Sequence, residues 1–376
     1  MIDSFRNLLD IYNWAQVENL ILSFNENDFS CVIDNVNNNN VLSIFDFACL
    51  LSPVAEKHLE LIASISRTRT QLKFGKTIQL YIPLYLSNYC SNACLYCGFN
   101  IKNNFKRTIL NNDDILKEAQ KIKEMQLDHI LLVTGENHKI AGIDYIINSV
   151  QLINKLFSSI SVEIQPFEID DYILLKQNGV SSIYIYQETY NKERYNYYHP
   201  AGEKSDFYYR LNAPERIGES EISKIGLGTL LGLENWRVEA FFLALHLRFL
   251  QKKYWKTKYS LSFPRITSQE GGFKPNFNVS ERNLAHLIWA FRLFDQDIEI
   301  ALSTRENQNF RNNMMSLGIT TMSAGSKTQP GGYFSNNNEL IQFEVIDNRT
   351  PAELVKEINR QNYTHIWKDW DFYLGK

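Results

Sequence analysis

The sequence Tyr85-Leu-Ser-Asn-Tyr-Cys-Ser-Asn-Ala-Cys-Leu-Tyr-Cys-Gly-Phe-Asn100 overlaps the end of an apolar run, Ile78–Leu86, that predicts a buried strand. It places three cysteines, Cys90, Cys94 and Cys97, within eight residues of the loop that leaves this strand. Three thiolates so close together can converge on one inorganic centre. The stretch therefore predicts a strand that leads directly into a metal-binding loop.

The number of cysteines limits what that centre can be. A [4Fe–4S] cluster usually takes four cysteine ligands, and with three of them one iron stays open for an exogenous ligand. No cysteine follows Cys97. A structural zinc site needs four ligands, so His138 or His199 would have to complete it. The Cys-x3-Cys-x2-Cys spacing favours the cluster, and the two remaining cysteines, Cys31 and Cys49, are predicted to be core residues.

Composition places the chain among ordinary globular proteins. Hydrophobic residues make up 44% and charged residues 22% of its 376 residues, so it can bury a proper core. A net charge of −3 gives no reason to expect binding to nucleic acid or to anionic membranes. No apolar window long enough to span a bilayer and no signal peptide are found in the sequence. We expect a cytoplasmic protein.

Short apolar runs alternate with helical patterns from Ile78 onward, which predicts a parallel sheet. The candidate strands are Ile78–Leu86, His129–Thr134, Ser161–Gln165, Ser182–Gln187, Ile225–Leu231, Tyr259–Phe263, Ile298–Leu302 and Thr320–Ser323. Eight such units over about 250 residues predict an α/β fold, a (β/α)8 TIM-type barrel. An open or six-unit barrel is the alternative. The predicted organisation is an N-terminal helical extension at 1–77, the barrel at 78–326 and a C-terminal extension packing on it at 327–376.

Polar residues follow every candidate strand. In order, these sets are Cys90/Cys94/Cys97, 134–136, 165–166, 187–190, 228–232, 264–265, 303–306 and 323–327. Active sites of such barrels lie at the C-terminal ends of the strands. The sequence therefore predicts one site to which all eight loops contribute.

The cysteine spacing, with the aromatic Tyr96 before the third cysteine, resembles the signature of the radical S-adenosylmethionine (SAM) superfamily. The resemblance implies one [4Fe–4S] cluster with three cysteine ligands, whose open iron is chelated by the amino and carboxylate groups of SAM. One electron from the reduced cluster then cleaves SAM to methionine and a 5′-deoxyadenosyl radical. In such enzymes the cofactor carries the chemistry and the protein orients it.

Other strand ends match the SAM contacts of this superfamily. Gly135 and Glu136 stand where the family has Gly-Gly-Glu, with a threonine in place of the first glycine. Glu188 follows the fourth strand, at the family's position for a ribose or amino contact. Arg210 resembles the arginine that pairs with the SAM carboxylate, a role that suits a bidentate guanidinium. Gly228 belongs to a glycine-rich strand that resembles the one that lets adenine approach the backbone.

Further motifs narrow the resemblance. They are Thr-Gly-Glu at 134–136, Gln-Glu-Thr-Tyr at 187–190, Leu-Leu-Gly-Leu-Glu-Asn-Trp-Arg at 230–237, Ser-Phe-Pro-Arg at 262–265, Ser-Thr-Arg-Glu at 303–306 and Ser-Ala-Gly-Ser-Lys-Thr at 323–328. With Tyr85–Cys90 they resemble the ThiH family, the tyrosine lyases (2-iminoacetate synthases) of thiazole biosynthesis, over roughly 78–371. The tyrosine lyase of [FeFe]-hydrogenase maturation and a tryptophan lyase are close relatives. The maturase has a longer C-terminal domain with cysteines for a second cluster, which favours the thiazole family for this chain.

The resemblance implies a function. The deoxyadenosyl radical would take a hydrogen from the amino group of L-tyrosine, and breakage of the Cα–Cβ bond would give 2-iminoacetate and, after reduction, p-cresol. The imine would pass to the thiazole synthase ThiG for thiamine biosynthesis, and flavodoxin or ferredoxin would supply electrons. A lyase acting on another amino acid and a non-catalytic iron–sulfur scaffold are the alternatives.

The substrate site can be predicted in part. Arg305 is expected to bind the tyrosine carboxylate, by resemblance to the amino-acid lyases, with Arg265 as a second candidate. Tyr85 and Ser323 match pocket positions of the tryptophan lyase. The alternatives are a core tyrosine for Tyr85 and a structural salt bridge for Arg265. A site that hydrogen-bonds a phenol can reject phenylalanine by roughly 10⁴–10⁵, so a partner for the hydroxyl is expected, and the sequence does not identify it.

Overall fold

A computed structural model describes residues 4–335 and 340–367, and within them eight parallel strands close into a barrel. The strands are β1 Thr77–Ser87, β2 His129–Thr134, β3 Ser159–Glu163, β4 Val180–Tyr184, β5 Lys224–Gly228, β6 Lys258–Ser262, β7 Glu299–Leu302 and β8 Thr321–Ser323. The barrel is closed because β1 pairs with both β2 and β8. The predicted (β/α)8 fold is confirmed, and the open and six-unit alternatives are wrong.

Helices surround the barrel. Before β1 lie α1 Phe5–Leu9, α2 Trp14–Ser23, α3 Glu26–Asn37, α4 Ile44–Leu50, α5 Pro53–Glu56 and α6 Leu59–Phe74. After β1 the described helices are α7 Asn112–Glu124, α8 Ile143–Ile153, α9 Ile169–Gln177, α10 Lys192–Tyr198, α11 Phe207–Leu211, α12 Ala213–Glu219, α13 Trp236–Lys253, α14 Glu281–Phe294, α15 Gln308–Met314 and α16 Pro351–Arg360, with a 3-10 turn at Glu203–Ser205. Within the described residues, none of these helices is long and apolar enough to cross a membrane.

The first six helices bury aromatic side chains against the outer helices of the barrel. Phe5 stacks on His246 of α13 with ring centroids 3.9 Å apart, and Phe47 of α4 packs on Phe291 of α14. Cys49 is buried in this layer, as predicted. The prediction for Cys31 is wrong: it is exposed, because the core-facing side of α3 is occupied by other residues, from Phe29 to Val36.

A short ninth strand, β9 Thr364–Ile366, pairs in parallel with the start of β1. The sequence pattern did not predict it, because three residues are too few to show an alternation. Helix α16, directly before this strand, begins at a capping box formed by Thr350 and Glu353. The aromatic motif that closes the sequence lies mostly outside the described residues.

Residues 340–347, which we call the strap, cross the mouth of the barrel at the C-terminal ends of its strands. Gln342 accepts a hydrogen bond at its carbonyl from the backbone N–H of Gly98, at 3.0 Å, in the cysteine loop. The backbone N–H of Ile346 donates to the carbonyl of Thr304, at 2.9 Å, in the loop after β7. The strap therefore connects the cysteine loop to the opposite side of the barrel.

The strap ends in a buried ion pair whose removal should destabilise the fold. Asp347 is fully buried and pairs with Arg311, which is 1% exposed, and with Arg349. Asp347→Asn leaves buried guanidinium charge uncompensated, so we expect a loss of about 3 kcal/mol in the free energy of unfolding, measured in urea. Asp170→Asn, at an exposed position of α9, is the matched control and should change it by less than about 0.5 kcal/mol. Equal losses in the two variants would contradict this role of the ion pair.

Candidate active site

One cavity opens at the C-terminal ends of the strands, and each of the eight strands or the loop that follows it contributes lining residues. Of the residues predicted from sequence, eleven line it: Tyr85, Cys90, Cys94, Tyr96, Cys97, Gly135, Glu136, Glu188, Arg210, Arg305 and Ser323. Two do not, Gly228 and Arg265. The structure therefore brings most of the predicted site together in one place.

All three cysteines of the loop are free thiols facing this cavity. Burial raises the pKa of Cys90 to about 11, and it also raises the pKa of Cys94 and of Cys97. Such thiols become thiolates when a metal ion binds them. Two N–H groups already point at sulfur: the backbone of Asn92 at Cys90, at 3.5 Å, and the side chain of Gln342 at Cys97, at 3.9 Å.

The geometry disfavours zinc. In the part of the chain that the structure describes, no three His, Cys, Asp or Glu side chains are arranged to hold a single metal ion. Both ring nitrogens of His199 are engaged, Nε2 with the Tyr96 hydroxyl at 2.7 Å and Nδ1 with the Tyr195 carbonyl at 2.9 Å. His138 pairs with Glu203 at 2.9 Å. Neither histidine is therefore placed to complete a four-ligand zinc site.

An arginine that the sequence pattern did not single out holds the cysteine loop closed. Arg107 donates from Nη1 to the carbonyls of Asn88, at 2.7 Å, and Phe99, at 2.8 Å, and from Nη2 to the carbonyl of Asn100, at 2.7 Å. These carbonyls flank the three cysteines on both sides. One guanidinium thus fixes the two ends of the loop relative to each other.

Acidic and basic side chains form a second cluster beside the cysteines. Glu136 binds Arg210 Nη1 at 2.9 Å and Asn92 Nδ2 at 2.9 Å. Lys204 lies between two carboxylates, with Nζ 2.8 Å from Glu188 Oε1 and 3.7 Å from Glu136 Oε1. Burial raises the pKa of Glu136, but Arg210 and Lys204 outweigh it and hold the pKa below its ordinary value. We call these five residues the clasp.

Lys204 was missed because nothing in its sequence context distinguishes it from a surface lysine. It lies in the 3-10 turn before α11 and is only 8% exposed. Its backbone N–H donates to Asn92 Oδ1 at 2.9 Å, which fixes the turn against the cysteine loop. A buried lysine that carries two carboxylate neighbours belongs to the site.

Gly135 is a glycine for a steric reason. A Cβ at this position would lie 2.3 Å from the carbonyl oxygen of Tyr89, directly before Cys90. Gly135→Ala must therefore displace the cysteine loop, and overpacking of this kind costs about 1–3 kcal/mol. We expect iron bound per chain to fall and SAM cleavage to drop by at least about tenfold.

The control is Gly272→Ala: nothing lies within 4 Å of a Cβ added there, and the backbone strain at its φ of +66° falls on an exposed loop. It should bind as much iron as the unsubstituted protein. Normal iron content and normal SAM cleavage in Gly135→Ala would show that the loop does not need the close approach.

Arg305, on the opposite side of the cavity, has no carboxylate partner. Within the described residues no Asp or Glu lies at ion-pair distance from it, and its guanidinium makes one hydrogen bond, from Nη1 to the carbonyl of Arg265, at 3.3 Å. The ring of Phe343 in the strap lies 3.4 Å from the guanidinium carbon. A partly buried guanidinium without a counter-ion is suited to bind a carboxylate from outside the chain.

Two other predicted pocket residues are engaged by neighbours. The Tyr85 hydroxyl donates to Gln342 Oε1 at 2.6 Å, and Gln342 in turn contacts the Cys97 sulfur. Ser323 Oγ accepts the backbone N–H of Thr304 at 3.1 Å. Tyr85 is therefore a cavity residue linked to the cysteine loop through the strap.

Arg265 and Gly228 lie outside the cavity lining. Arg265 pairs with Glu306 and donates to the carbonyl of Val279 at 2.8 Å, so its guanidinium has partners outside the cavity. A Cβ on Gly228 would lie 2.5 Å from the carbonyl oxygen of Ser262 and 2.8 Å from the Tyr186 ring. The space above this glycine is filled by protein.

Glu163 is a further cavity residue that the sequence pattern missed. The third strand was predicted to end at Gln165, but β3 ends at Glu163. Gln165 Nε2 donates instead to the carbonyl of Ala141 at 2.8 Å, outside the cavity. A polar residue at the end of an apolar strand was the sequence signal that could have identified Glu163. It was overlooked because the predicted end of this strand was two residues too late.

Comparisons with known proteins agree with this geometry. Residues 84–244 match the Radical SAM superfamily, and residues 262–364 match the Biotin and Thiamin Synthesis associated domain. The 2-iminoacetate synthase of Escherichia coli (strain K12) is 45% identical over 332 residues, which is 88% of each chain. The chain belongs to the 2-iminoacetate synthase family of radical SAM enzymes. The Salmonella typhimurium member is 44% identical over 336 residues, 89% of each chain.

Solved structures outside the 2-iminoacetate synthase family share the fold. HydG, a maturase of the [FeFe]-hydrogenase, superposes with a TM-score of 0.91 at 29% identity, over 96% of this chain and 81% of its own. Methylornithine synthase (PylB) superposes with a TM-score of 0.73 at 20% identity, over 91% of this chain and 99% of its own. The second likeness shows the fold alone.

Membership of the radical SAM superfamily implies a [4Fe–4S] cluster and SAM. The residues fit both groups. Each cysteine of such a cluster binds a different iron, so its thiolates need not converge as they do on one ion, in agreement with the geometry here. The clasp offers carboxylates and guanidinium to a molecule that carries both an ammonium and a carboxylate.

Proposed function

We propose that this protein is a radical SAM lyase that cleaves the Cα–Cβ bond of L-tyrosine to 2-iminoacetate and p-cresol, and so supplies the imine for the thiazole of thiamine. The main support for this proposal is that three free thiols, the clasp and Arg305, which has no acidic partner among the described residues, line one cavity. When bound, the reduced cluster and SAM would supply the radical chemistry: SAM would give methionine and a 5′-deoxyadenosyl radical that takes the amino hydrogen of tyrosine, and one further electron and a proton would convert the released side chain to p-cresol.

The three loop cysteines are the proposed cluster ligands, which leaves one iron for SAM. Arg107 holds the loop by its three carbonyl contacts, and Gln342 places an N–H near the Cys97 sulfur. Hydrogen bonds to cluster sulfurs and nearby charge tune the reduction potential. Arg107 and Gln342 therefore influence the reduction potential of the cluster.

The clasp is the proposed SAM site. Glu136 binds the amino group of SAM, Arg210 and Lys204 bind its carboxylate, and Glu188 binds the ribose hydroxyls. These side chains now pair with one another, so their charges stay compensated in the free protein and are shared with SAM on binding. Two further residues are proposed contacts, Tyr96 and Gly135, whereas Gly228 lies outside the cavity lining.

Arg305 is the proposed anchor for the substrate carboxylate. The Phe343 ring holds one face of its guanidinium, and the Arg265 carbonyl accepts from one of its nitrogens. Arg265 thus serves as a positioning residue, with its own charge compensated by Glu306. Tyr85 and Ser323 border the same space and are proposed to hydrogen-bond the amino-acid end of tyrosine.

The protein's part in breaking the Cα–Cβ bond is positional. Holding the amino group toward SAM and the side chain away from it selects which hydrogen is removed. The apolar wall formed by Leu131, Val133 and Pro83 is suited to the aromatic ring. The strap covers the mouth beside Arg305 and limits access of water to the reacting atoms.

The remaining assignments complete the proposal. The chain divides into an N-terminal helical extension at 1–77, the barrel at 78–326 and a C-terminal extension at 327–376. It works in the cytoplasm, takes electrons from a flavodoxin or ferredoxin, and hands 2-iminoacetate to the thiazole synthase ThiG.

Product analysis tests the proposal. Protein reconstituted with iron and sulfide under anaerobic conditions should hold about four irons per chain and, with dithionite, SAM and tyrosine, should form p-cresol and 5′-deoxyadenosine. Tryptophan in place of tyrosine should give no cleaved side chain. SAM cleavage without p-cresol from tyrosine would identify a lyase for another substrate. No SAM cleavage at all would leave the scaffold alternative.

A further inference from the structure

We propose that Glu163 binds the phenolic hydroxyl of tyrosine and makes the site select tyrosine over phenylalanine. This inference rests on the proposed function and adds the residue that recognises the phenol. Glu163 is the last residue of β3, and its side chain faces the cavity.

Three carboxylates line the cavity, and within residues 4–335 and 340–367 only Glu163 lacks a partner. Glu136 and Glu188 are held by the other members of the clasp. Among the residues described, none forms a hydrogen bond or an ion pair with the Glu163 carboxyl. A partly buried polar group without a partner is costly, and a ligand that supplies the partner is favoured.

Depth in the barrel separates Glu163 from the clasp. It pairs in register with Val133 of β2 and Tyr184 of β4. Glu136 and Glu188 lie three and four residues further along their chains, toward the mouth. Because β2 and β4 end at Thr134 and Tyr184, both carboxylates of the clasp lie in the loops at the mouth, and Glu163 lies below them at the end of its strand.

Arg305 also lies near the mouth, three residues beyond the end of β7 at Leu302. A tyrosine whose carboxylate binds Arg305, and whose amino group lies level with the clasp, must direct its ring down the barrel. The hydroxyl then meets the one unpaired carboxyl.

The surroundings of Glu163 sharpen its selectivity. Its neighbours in the same layer are the apolar Val133 and the ring of Tyr184. Burial, and next the charge of Glu188, raise the pKa of Glu163 to about 7. A phenol O–H donates to this group, whereas phenylalanine would bury it without a partner. Sites that hydrogen-bond a substrate hydroxyl reject the analogue lacking it by roughly 10⁴–10⁵.

Equilibrium binding tests the assignment. Reconstituted enzyme with its cluster oxidised and SAM present binds substrate without turnover, so the Kd of tyrosine and of phenylalanine can both be measured by calorimetry. In Glu163→Leu the ratio of the Kd of phenylalanine to the Kd of tyrosine should fall at least about tenfold, mainly because tyrosine binds more weakly. Glu168→Gln, an exposed carboxylate five residues further along, is the control and should keep the original ratio.

Each result supports or overturns the proposal. An unchanged ratio of the two Kd values in Glu163→Leu overturns it. If the ratio is unchanged because both Kd values rise equally, Glu163 contacts the amino group, which both amino acids share. If Glu163→Leu does not fold, Glu163→Gln should weaken tyrosine about tenfold and leave phenylalanine unchanged. Unaltered tyrosine binding in Glu163→Gln also overturns it. Absence of p-cresol with the unsubstituted enzyme would instead refute the proposed function.

Discussion

Cys94→Ala should abolish both cluster binding and SAM cleavage. Cys94 is the most deeply buried of the three loop thiols, 5% exposed, and the charge of Lys204 acts on its sulfur. Its loss leaves two ligands for four irons, and no other cysteine of the chain lies in the cavity lining to replace it. Iron content, the visible absorption of the cluster and 5′-deoxyadenosine formation are the measurements.

Cys31→Ala is the matched control, because Cys31 is an exposed cysteine on α3, far from the cavity. It should retain about four irons per chain and the full rate of SAM cleavage. Cys94→Ala protein that still holds a complete cluster and cleaves SAM would remove the ligand assignment, and with it the reason for an open iron.

Arg305→Lys should separate substrate binding from SAM chemistry. Lysine keeps the charge but loses the planar fork that binds a carboxylate through two hydrogen bonds, and it loses the stacking on Phe343. Hydrogen bonds to charged groups contribute about 1.5–3 kcal/mol, so the KM for tyrosine should rise by about 10–150-fold. SAM cleavage without tyrosine should persist, because the clasp does not contain Arg305.

The control for this substitution is Arg360→Lys, an exposed position near the end of α16. It should leave the KM for tyrosine within about twofold of the original value. Steady-state p-cresol formation gives KM and kcat, and 5′-deoxyadenosine without substrate gives the uncoupled rate. An unchanged KM in Arg305→Lys would refute the carboxylate assignment.

The parts of the fold and site that the sequence predicts are those encoded locally. All eight barrel strands were predicted because each is a short apolar run between turn signals. The cysteine loop, Glu136 and Glu188 were found because they directly follow strands, and Arg210 was found through the family resemblance. Glu163 shows the limit of this reasoning, since strand boundaries carry an error of about 2–4 residues and a shift of two hid it.

Contacts between distant parts of the chain could not be predicted. Gln342 reaches Cys97 across 245 residues, and no spacing rule connects them. Lys204 is part of the site only because its turn packs on Asn92, 112 residues earlier. The sequence also left open whether Arg265 contacts the substrate or forms a structural salt bridge, and the structure shows its pairing with Glu306. Tertiary packing decides these cases, and local pattern carries no information about them.

The central claim is that the cavity presents the amino group of tyrosine, rather than a carbon-bound hydrogen, to SAM. In D2O the amino hydrogens exchange for deuterium, whereas the hydrogens on Cα and Cβ do not. Mass spectrometry of the 5′-deoxyadenosine formed with tyrosine in D2O therefore distinguishes removal of an exchangeable hydrogen from removal of a carbon-bound one, with the same reaction in H2O as reference. We expect one deuterium in the product, and 5′-deoxyadenosine without deuterium would contradict the account.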